Sequence, residues 1–238
     1  MSSYDVTSPY YPYNKVFSSY LNLSEAQTLL RKICDYIIDA PMGDYTPIDD
    51  NEYPRCRLWK YLYYDDERPL SKALPTIQQK MSVLFNPAQP EEPPTDKGYR
   101  LIPQIFIDPS QEIAETRLMF TTGRTVPSDN PFKASLSITF YIWTNQSYES
   151  NTKDGGLSRS QSIELALIDA FNGVNMAGIG TFYFDRRKHS DCGSNVIYDK
   201  DTNVGRRVTM ALEMATFEQK EDKILPPISD GSNVKLFI

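Results

Sequence analysis

One histidine and a nearby cysteine come closest to a metal or nucleophile pattern. His189 is the single histidine of the 238 residues, and Cys192 follows three places later. An imidazole and a thiolate at this spacing can supply two zinc ligands, but a structural zinc site needs four, and no second pair lies near. A histidine-based triad would depend on the same residue. The pattern favours a surface-loop role for His189 over an enzyme with an unrecognised site around it.

A second local pattern, DKDTNVG at residues 199–205, places oxygen-bearing side chains at alternate positions. Asp199, Asp201 and Asn203 resemble the first ligands of a calcium loop. The glycine comes one place late, and Met210 stands at the twelfth position, where a bidentate glutamate is required. We therefore predict a tight hairpin turn, because Asp and Asn favour such turns.

Other catalytic patterns find no support in the sequence. There is no GxxxxGK[ST] phosphate loop and no GxGxxG after a strand. Adjacent acidic residues flank turns and a linker, where solvated loop charge explains them better than paired acid–base catalysis. They are Asp49-Asp50, Asp65-Asp66-Glu67 and Glu91-Glu92. We expect no catalytic residues, no metal site, no cofactor and no enzymatic activity.

Charge and cysteine content limit the class of protein. The net charge of −6 argues against a protein that clamps phosphates along a basic groove, because that mode draws its affinity from Lys and Arg. Three widely spaced cysteines, Cys34, Cys56 and Cys192, do not make a disulfide framework and predict three free thiols. Neither a signal-peptide pattern nor a membrane-length apolar run is present, so we expect no membrane association.

Two basic clusters lie at predicted strand ends. Arg186-Arg187-Lys188 follows one strand, and Arg206-Arg207 begins another. If those two strands form a hairpin, the clusters stand at opposite ends of its excursion and mark a partner contact, for which arginine is well suited. Ordinary solubilising charge at strand ends is the alternative, and the sequence leaves both open.

The elements that would position these residues follow from apolar periodicity. A helix begins near Ser24 and ends before Pro41, an alternating strand spans Arg55 to Tyr64, and a further helix begins close to Leu74. Two strands, Tyr99 to Ile107 and Ile113 to Thr121, are separated by Asp108-Pro109-Ser110, which predicts a hairpin.

The strongest periodicity lies between Ala134 and Ala215. It predicts a strand, a helix and two more strands, which span Ala134 to Thr144, Leu157 to Asn172, Ile179 to Asp185 and Arg206 to Thr216. This order predicts an α+β fold with a mixed, mainly antiparallel sheet, helices packed on one face and long loops, one of which runs from Thr144 to Gly156.

Segments of different composition flank the predicted domain, which spans residues 23–217. The first 22 residues carry five tyrosines and form an extended N-terminal arm, which lies either across a partner or on its own domain, and a sixth tyrosine, Tyr36, follows in the next segment. Residues 86–97 hold four prolines and predict an exposed linker. Residues 218–238 form an extension that turns charged and then apolar.

The order of these elements resembles tail-terminator and related head–tail completion proteins of long-tailed bacteriophages. The resemblance covers mainly residues 134–217, and its carriers are a strand like SITFYIWT, a helix like IELALIDAF and a closing strand like RVTMALEM. These stretches occupy residues 137–144, 163–171 and 207–214. Longer termini and a longer middle segment, residues 41–133, set the chain apart from the small members of that group.

The resemblance implies a structural virion protein. Six copies would form a ring on the head-proximal end of the tail tube, halt its polymerisation and join the neck, with DNA passing through the centre without specific binding. Implied partners are further copies, the tail tube protein, a neck or connector protein and, in a contractile tail, the sheath protein. The protein would be assembled in the host cytoplasm and located at the tail–neck junction. Another neck, stopper or baseplate component is the alternative.

Overall fold

The computed structural model describes residues 23–38, 51, 53–85, 98–104, 115–127, 133–149, 156–176, 179–199 and 203–215. The predicted arm 1–22, the linker 86–97, the extension 218–238 and the hairpin turn at 108–110 lie outside these residues. Five α-helices occur in the described part of the chain: α1 Leu23–Ile38, α2 Pro54–Tyr63, α3 Ile77–Ser82, α4 Gln146–Glu149 and α5 Arg159–Phe171. A 3-10 turn, Pro69–Ser71, separates α2 from α3.

Within the described ranges, seven strands form one mixed, mainly antiparallel sheet. They are β1 Leu101–Ile102, β2 Arg117–Pro127, β3 Lys133–Asn145, β4 Asn175–Met176, β5 Gly180–Tyr183, β6 Gly193–Asp199 and β7 Asn203–Ala215. Their order is β1-β2-β3-β7-β5-β4, and β6 also pairs with β7. The strongest pairing is β3 with β7, which runs from Lys133 opposite Ala215 to Asn145 opposite Asn203. The α+β class with helices packed on one face of the sheet is confirmed.

Two strands share the far edge of β7. β5 pairs with residues 211–213 and β6 with residues 203–209, both antiparallel to β7. They therefore lie end to end along one line, interrupted by the loop from Phe184 to Cys192. The pairing of Asp199 with Asn203 confirms the predicted hairpin between β6 and β7. The sequence pattern did not predict β6, because the first residues of this strand, Gly193-Ser194-Asn195, are typical of turns.

The main core lies between the helices and the inner face of the sheet. Alternate residues of β3, namely Leu136, Ile138, Phe140 and Ile142, are all buried, as the strand pattern predicts. The ring of Phe171, at the end of α5, lies 5.3 Å from that of Phe140. The opposite, outer face carries a smaller apolar cluster of Phe85, Ile102 and Met119, with Tyr99, Tyr141 and Trp143 packed against it.

The predicted strand from Arg55 to Tyr64 is wrong, because this stretch forms α2. Apolar and polar residues alternate there, but the buried residues do not follow that alternation: Cys56, Leu58, Trp59, Lys60, Tyr61, Leu62 and Tyr63 are all buried. A helix buried on most sides hides the 3.6-residue period. Pro54 at the first helical position indicates the start of a helix, since the N–H that proline lacks is not needed there.

Two further predictions need correction between residues 74 and 121. The helix expected near Leu74 begins at Ile77, because Thr76 caps it: Thr76 Oγ1 accepts from Gln79 N at 3.2 Å and Thr76 N donates to Gln79 Oε1 at 2.8 Å. The expected hairpin does not form, because β1 and β2 are parallel. On its other side β1 makes a parallel bridge between Leu101 and Leu84, so β1 is parallel to both of its neighbours.

Buried cations complete the ends of the helices. The guanidinium of Arg159 donates to Tyr61 O at 2.9 Å, to Tyr64 O at 2.6 Å and to Asp66 O. These carbonyls belong to the last turn of α2 and the residues after it, where no intrahelical donor remains. The side chain of Arg159 is fully buried, so these bonds replace its hydration. Arg159 thereby joins the start of α5 to the end of α2.

Arg159→Met should therefore destabilise the fold. The substitution keeps an unbranched side chain but leaves buried carbonyls without donors, which costs about 1–3 kcal/mol for each unsatisfied group. We expect urea unfolding monitored by circular dichroism to show a loss of at least about 3 kcal/mol. Arg187→Met is the matched control, since the Arg187 side chain is 90% exposed, and should change stability by less than about 1 kcal/mol. Equal losses in the two variants would contradict the capping role.

Candidate partner-binding surface

The loop from Phe184 to Cys192 folds over the outer face of the sheet. It leaves the end of β5, where Tyr183 pairs with Ala211, and re-enters the sheet at Gly193, which pairs with Thr209. Turns within the loop are closed by Lys188 N and His189 N, both of which donate to Asp185 O, at 3.0 and 3.3 Å. The loop therefore connects β5 and β6, which lie end to end beside β7. It carries most of the site residues that the sequence predicted.

His189 anchors this loop to β2. Its side chain is fully buried, and Nδ1 accepts a hydrogen bond from Asp191 N at 3.2 Å. Nε2 must then carry the proton, and it donates to Arg124 O at 3.0 Å. Both ring nitrogens are occupied by backbone groups, so neither is available for proton transfer with a substrate. The predicted surface-loop role is wrong for this side chain, which holds the loop in place from beneath.

Cys192 does not share a site with His189. Its Sγ lies 3.8 Å from Tyr183 O, and burial raises the pKa of its thiol, which disfavours the thiolate that metal binding requires. The other two cysteines, Cys34 and Cys56, are also buried and form no disulfide, as predicted. Burial raises the pKa of Cys34 to about 12. No cluster of metal-ligating side chains occurs among the described residues.

The two basic clusters lie close together, because the two strands that carry them do not form the simple hairpin that would have placed the clusters at opposite ends. Because β6 intervenes, the loop leaves the sheet beside residues 209–211 of β7, next to Arg207. A side chain on Gly193 would contact the guanidinium of Arg186, so Arg186 lies over this glycine. Gly193 and Arg207 occupy neighbouring positions on the outer face, since Gly193 pairs with Thr209.

The members of the clusters differ in role. Arg206 points to the inner face and forms a 2.7 Å ion pair with Glu164 of α5, so it belongs to the helix–sheet contact. Lys188 reaches Glu213 at 2.9 Å and lies over the ring of Tyr183. Arg186 Nε donates to Cys192 O at 3.0 Å.

Arg187 is highly accessible, since 90% of its side chain is exposed. Its guanidinium forms a fork on Asp185, with the shortest bond at 2.8 Å, and these bonds lower the pKa of Asp185. Arg207 is also exposed. Together with Arg186 and Lys188, these residues form what we call the outer basic surface. These exposed cations lie on a protein with a net charge of −6, and arginine and lysine side chains suit contact with carboxylate groups.

Comparison with known proteins gives a family. The family model named YomW matches residues 56–212, about two thirds of the chain. The chain belongs to the YomW family. The family name is that of a phage-derived gene, which indicates a phage-associated protein. No curated protein and no solved structure matches the chain.

The family match covers both parts of the surface described above. Residues 56–212 include the loop of the outer basic surface and most of β7, but stop short of the arm and the final extension. No helix in the described ranges is long and apolar enough to cross a membrane.

The positional role of His189 can be tested by substitution. His189→Ala removes the donor to Arg124 O and the acceptor of Asp191 N, and each buried group left unpaired costs about 1–3 kcal/mol. We expect a loss of unfolding free energy of at least about 2 kcal/mol, and a smaller loss in His189→Gln, whose amide offers both a donor and an acceptor. Ser190→Ala, at an exposed position, is the control. If His189→Ala unfolds like the wild type, the anchoring role is wrong.

Proposed function

We propose that the protein is a structural component of the virion of a tailed phage and acts as its tail terminator. Copies of the chain form a ring, with six as the expected number, on the head-proximal end of the tail tube. The ring halts tube polymerisation and joins the neck. The observation that carries the proposal is the phage-associated family, together with the order of elements between residues 134 and 215 that resembles tail terminators.

The chemistry of the described residues supports a role in contacts. The single histidine is occupied on both nitrogens by backbone groups, and the described thiols are buried. The outer basic surface instead presents cations held in fixed positions by short ion pairs. On this proposal the protein works by binding and geometric blocking, without catalysis, cofactor or metal. No observation on His189 favours the alternative of an enzyme.

The proposed assembly defines the partners. The tail tube protein, a neck or connector protein and, in a contractile tail, the sheath protein meet the ring, while DNA passes through its centre. The net charge of −6 suits a channel wall that does not retain DNA phosphates. Assembly takes place in the host cytoplasm, and the mature protein stands at the tail–neck junction.

Deletion of the gene from the phage separates the terminator from the alternative roles. Without a terminator the tube continues to polymerise, so electron micrographs should show tails of variable length exceeding the normal one, with unattached heads. A neck connector or stopper gives tails of normal length that fail to join heads. A baseplate component gives heads without tails. Supplying the gene from a plasmid should restore the normal length, and tails of normal length in the deletion would contradict the proposal.

The outer basic surface should contribute to the contact with the tail tube. The double substitution Arg187→Glu and Arg207→Glu reverses two exposed charges and should weaken co-sedimentation with purified tubes at least tenfold, with an effect that diminishes at high salt. The matched control reverses Arg31 and Lys32, two exposed residues of α1. Both variants change the net charge by the same amount. Equal binding by the two would exclude this surface from the contact.

A further inference from the structure

β6 is an edge strand, to which nothing beyond β7 is paired among the described residues. β6 contributes seven residues, and its only partner there is β7. The two strands at the ends of the main sheet order, β1 and β4, have two residues each. An edge strand presents a row of backbone N–H and C=O groups that can pair with an added strand.

β6 lacks the usual features that protect an edge strand. Residues 193–198, Gly-Ser-Asn-Val-Ile-Tyr, contain neither a charge nor a proline, and only Asp199 at the end of the strand is charged. Val196, at the middle of the strand, is 42% exposed although it is β-branched and apolar. Proteins normally place lysine, proline or a bulge at such an edge to prevent pairing with other chains. The composition of β6 permits pairing.

Exposed apolar surface accompanies this edge on the helix side. Val196 is directly opposite Arg206, whose guanidinium contacts Glu164 of α5. Residues directly opposite one another share a face of the sheet, so Val196 lies on the same face as α5. An added strand with an apolar row toward the helices would cover Val196 and extend the inner face.

We propose that β6 accepts a strand formed by residues 233–238 of a neighbouring copy. This proposal rests on the ring of the proposed function and names the contact that builds it. The segment reads Asn-Val-Lys-Leu-Phe-Ile, so Val234, Leu236 and Ile238 fall on one face and only Lys235 and Phe237 on the other. The three apolar residues match the uncovered inner side of β6. In the tyrosine-rich arm, by contrast, both rows of residues 13–20 mix polar and apolar side chains.

The intervening chain is long enough to carry residues 233–238 to a neighbouring copy. Between Ala215, the end of β7, and the proposed strand lie residues 216–232, which span roughly 50 Å when extended at about 3.1 Å per residue. Pro226-Pro227 and the charged residues between 218 and 223 favour extended conformations. A strand given by one copy and an edge offered by the next make a heterologous contact, which repeats around a closed ring and leaves its two faces different.

Cysteine cross-linking between two different variants tests the contact directly. One full-length chain carries Val196→Cys and the other Leu236→Cys, and the three natural cysteines are buried. After mild oxidation of the mixture, a non-reducing gel should show a covalent dimer that contains one copy of each. Ile77→Cys mixed with Leu236→Cys is the control, because Ile77 is 59% exposed on α3, outside β6. The control mixture should stay monomeric on the gel.

Other outcomes of this experiment overturn the proposal. A dimer formed by the Val196→Cys chain alone means that two β6 edges pair with each other. A chain carrying both cysteines that cross-links only internally means that residues 233–238 return to their own copy. The absence of any cross-link in the mixture excludes the contact.

Assembly measurements separate this proposal from the proposed function. Deletion of residues 233–238, and separately Val196→Lys, should raise at least tenfold the concentration needed for ring formation in native mass spectrometry, whereas Ile77→Lys should leave it unchanged. If the deletion variant still forms rings at the wild-type concentration, the strand contact is wrong and the ring stands. If the wild-type chain forms no ring but the mixed cysteine variants cross-link, the ring function is wrong and the strand contact stands.

Discussion

The fold depends on buried cations that satisfy carbonyl groups at the ends of helices. Three residues far apart in the sequence do this work: Arg159 and Arg100 at the end of α2, and Lys80 at the end of α1. Trp59 adds a neutral donor, since its ring N–H donates to Ile37 O at 2.5 Å. Each of these hydrogen bonds fixes the position of one element relative to the end of a helix. Apolar contacts alone would not fix it, because they are not directional. The helices are thereby fixed relative to one another and to the sheet.

Buried arginines also pair with carboxylates near the starts of β1 and β2. Arg100 forms two hydrogen bonds with Asp65, at 2.9 and 2.5 Å, and Arg117 Nε donates to Glu115 Oε2 at 3.0 Å. Burial raises the pKa of Glu115, against the opposing effect of the nearby arginines, and its Oε1 has no hydrogen-bond partner. The Glu115 carboxylate lies against Gly98, so a side chain at residue 98 would have to displace it. The φ of +64° at Gly98 also favours glycine, which adopts this conformation without steric cost.

Sequence patterns predicted the elements whose burial is one-sided. Apolar and polar residues alternate along β3, and apolar residues recur at helical spacing along α5. In both elements one face packs on the core and the other faces solvent or a loop. The pattern failed for α2, since the long side chain of Lys60 is buried in the interior although lysine counts as a polar residue in the pattern. It failed again for β6, whose first three residues are typical of turns, so that pairing with β7 decides where the strand begins. The parallel pairing of β1 depends on contacts distant in sequence, which no local window contains.

The candidate surface was predictable in its residues and not in their roles. Composition identified His189 and the two arginine clusters, but the sequence could not show that Arg206 and Arg207 face opposite sides of the sheet or that His189 is buried under its own loop. These residues differ in what their charges bind. Arg206 and Arg159 stabilise the fold, since removing them leaves buried groups unpaired. Arg187 and Arg207 are exposed on a loop and strand that other contacts already hold in place, so their charges remain available to a partner without cost to stability. A protein that acts by contact requires this division, because its binding surface must be rigid before the partner arrives if affinity is not to be lost to ordering.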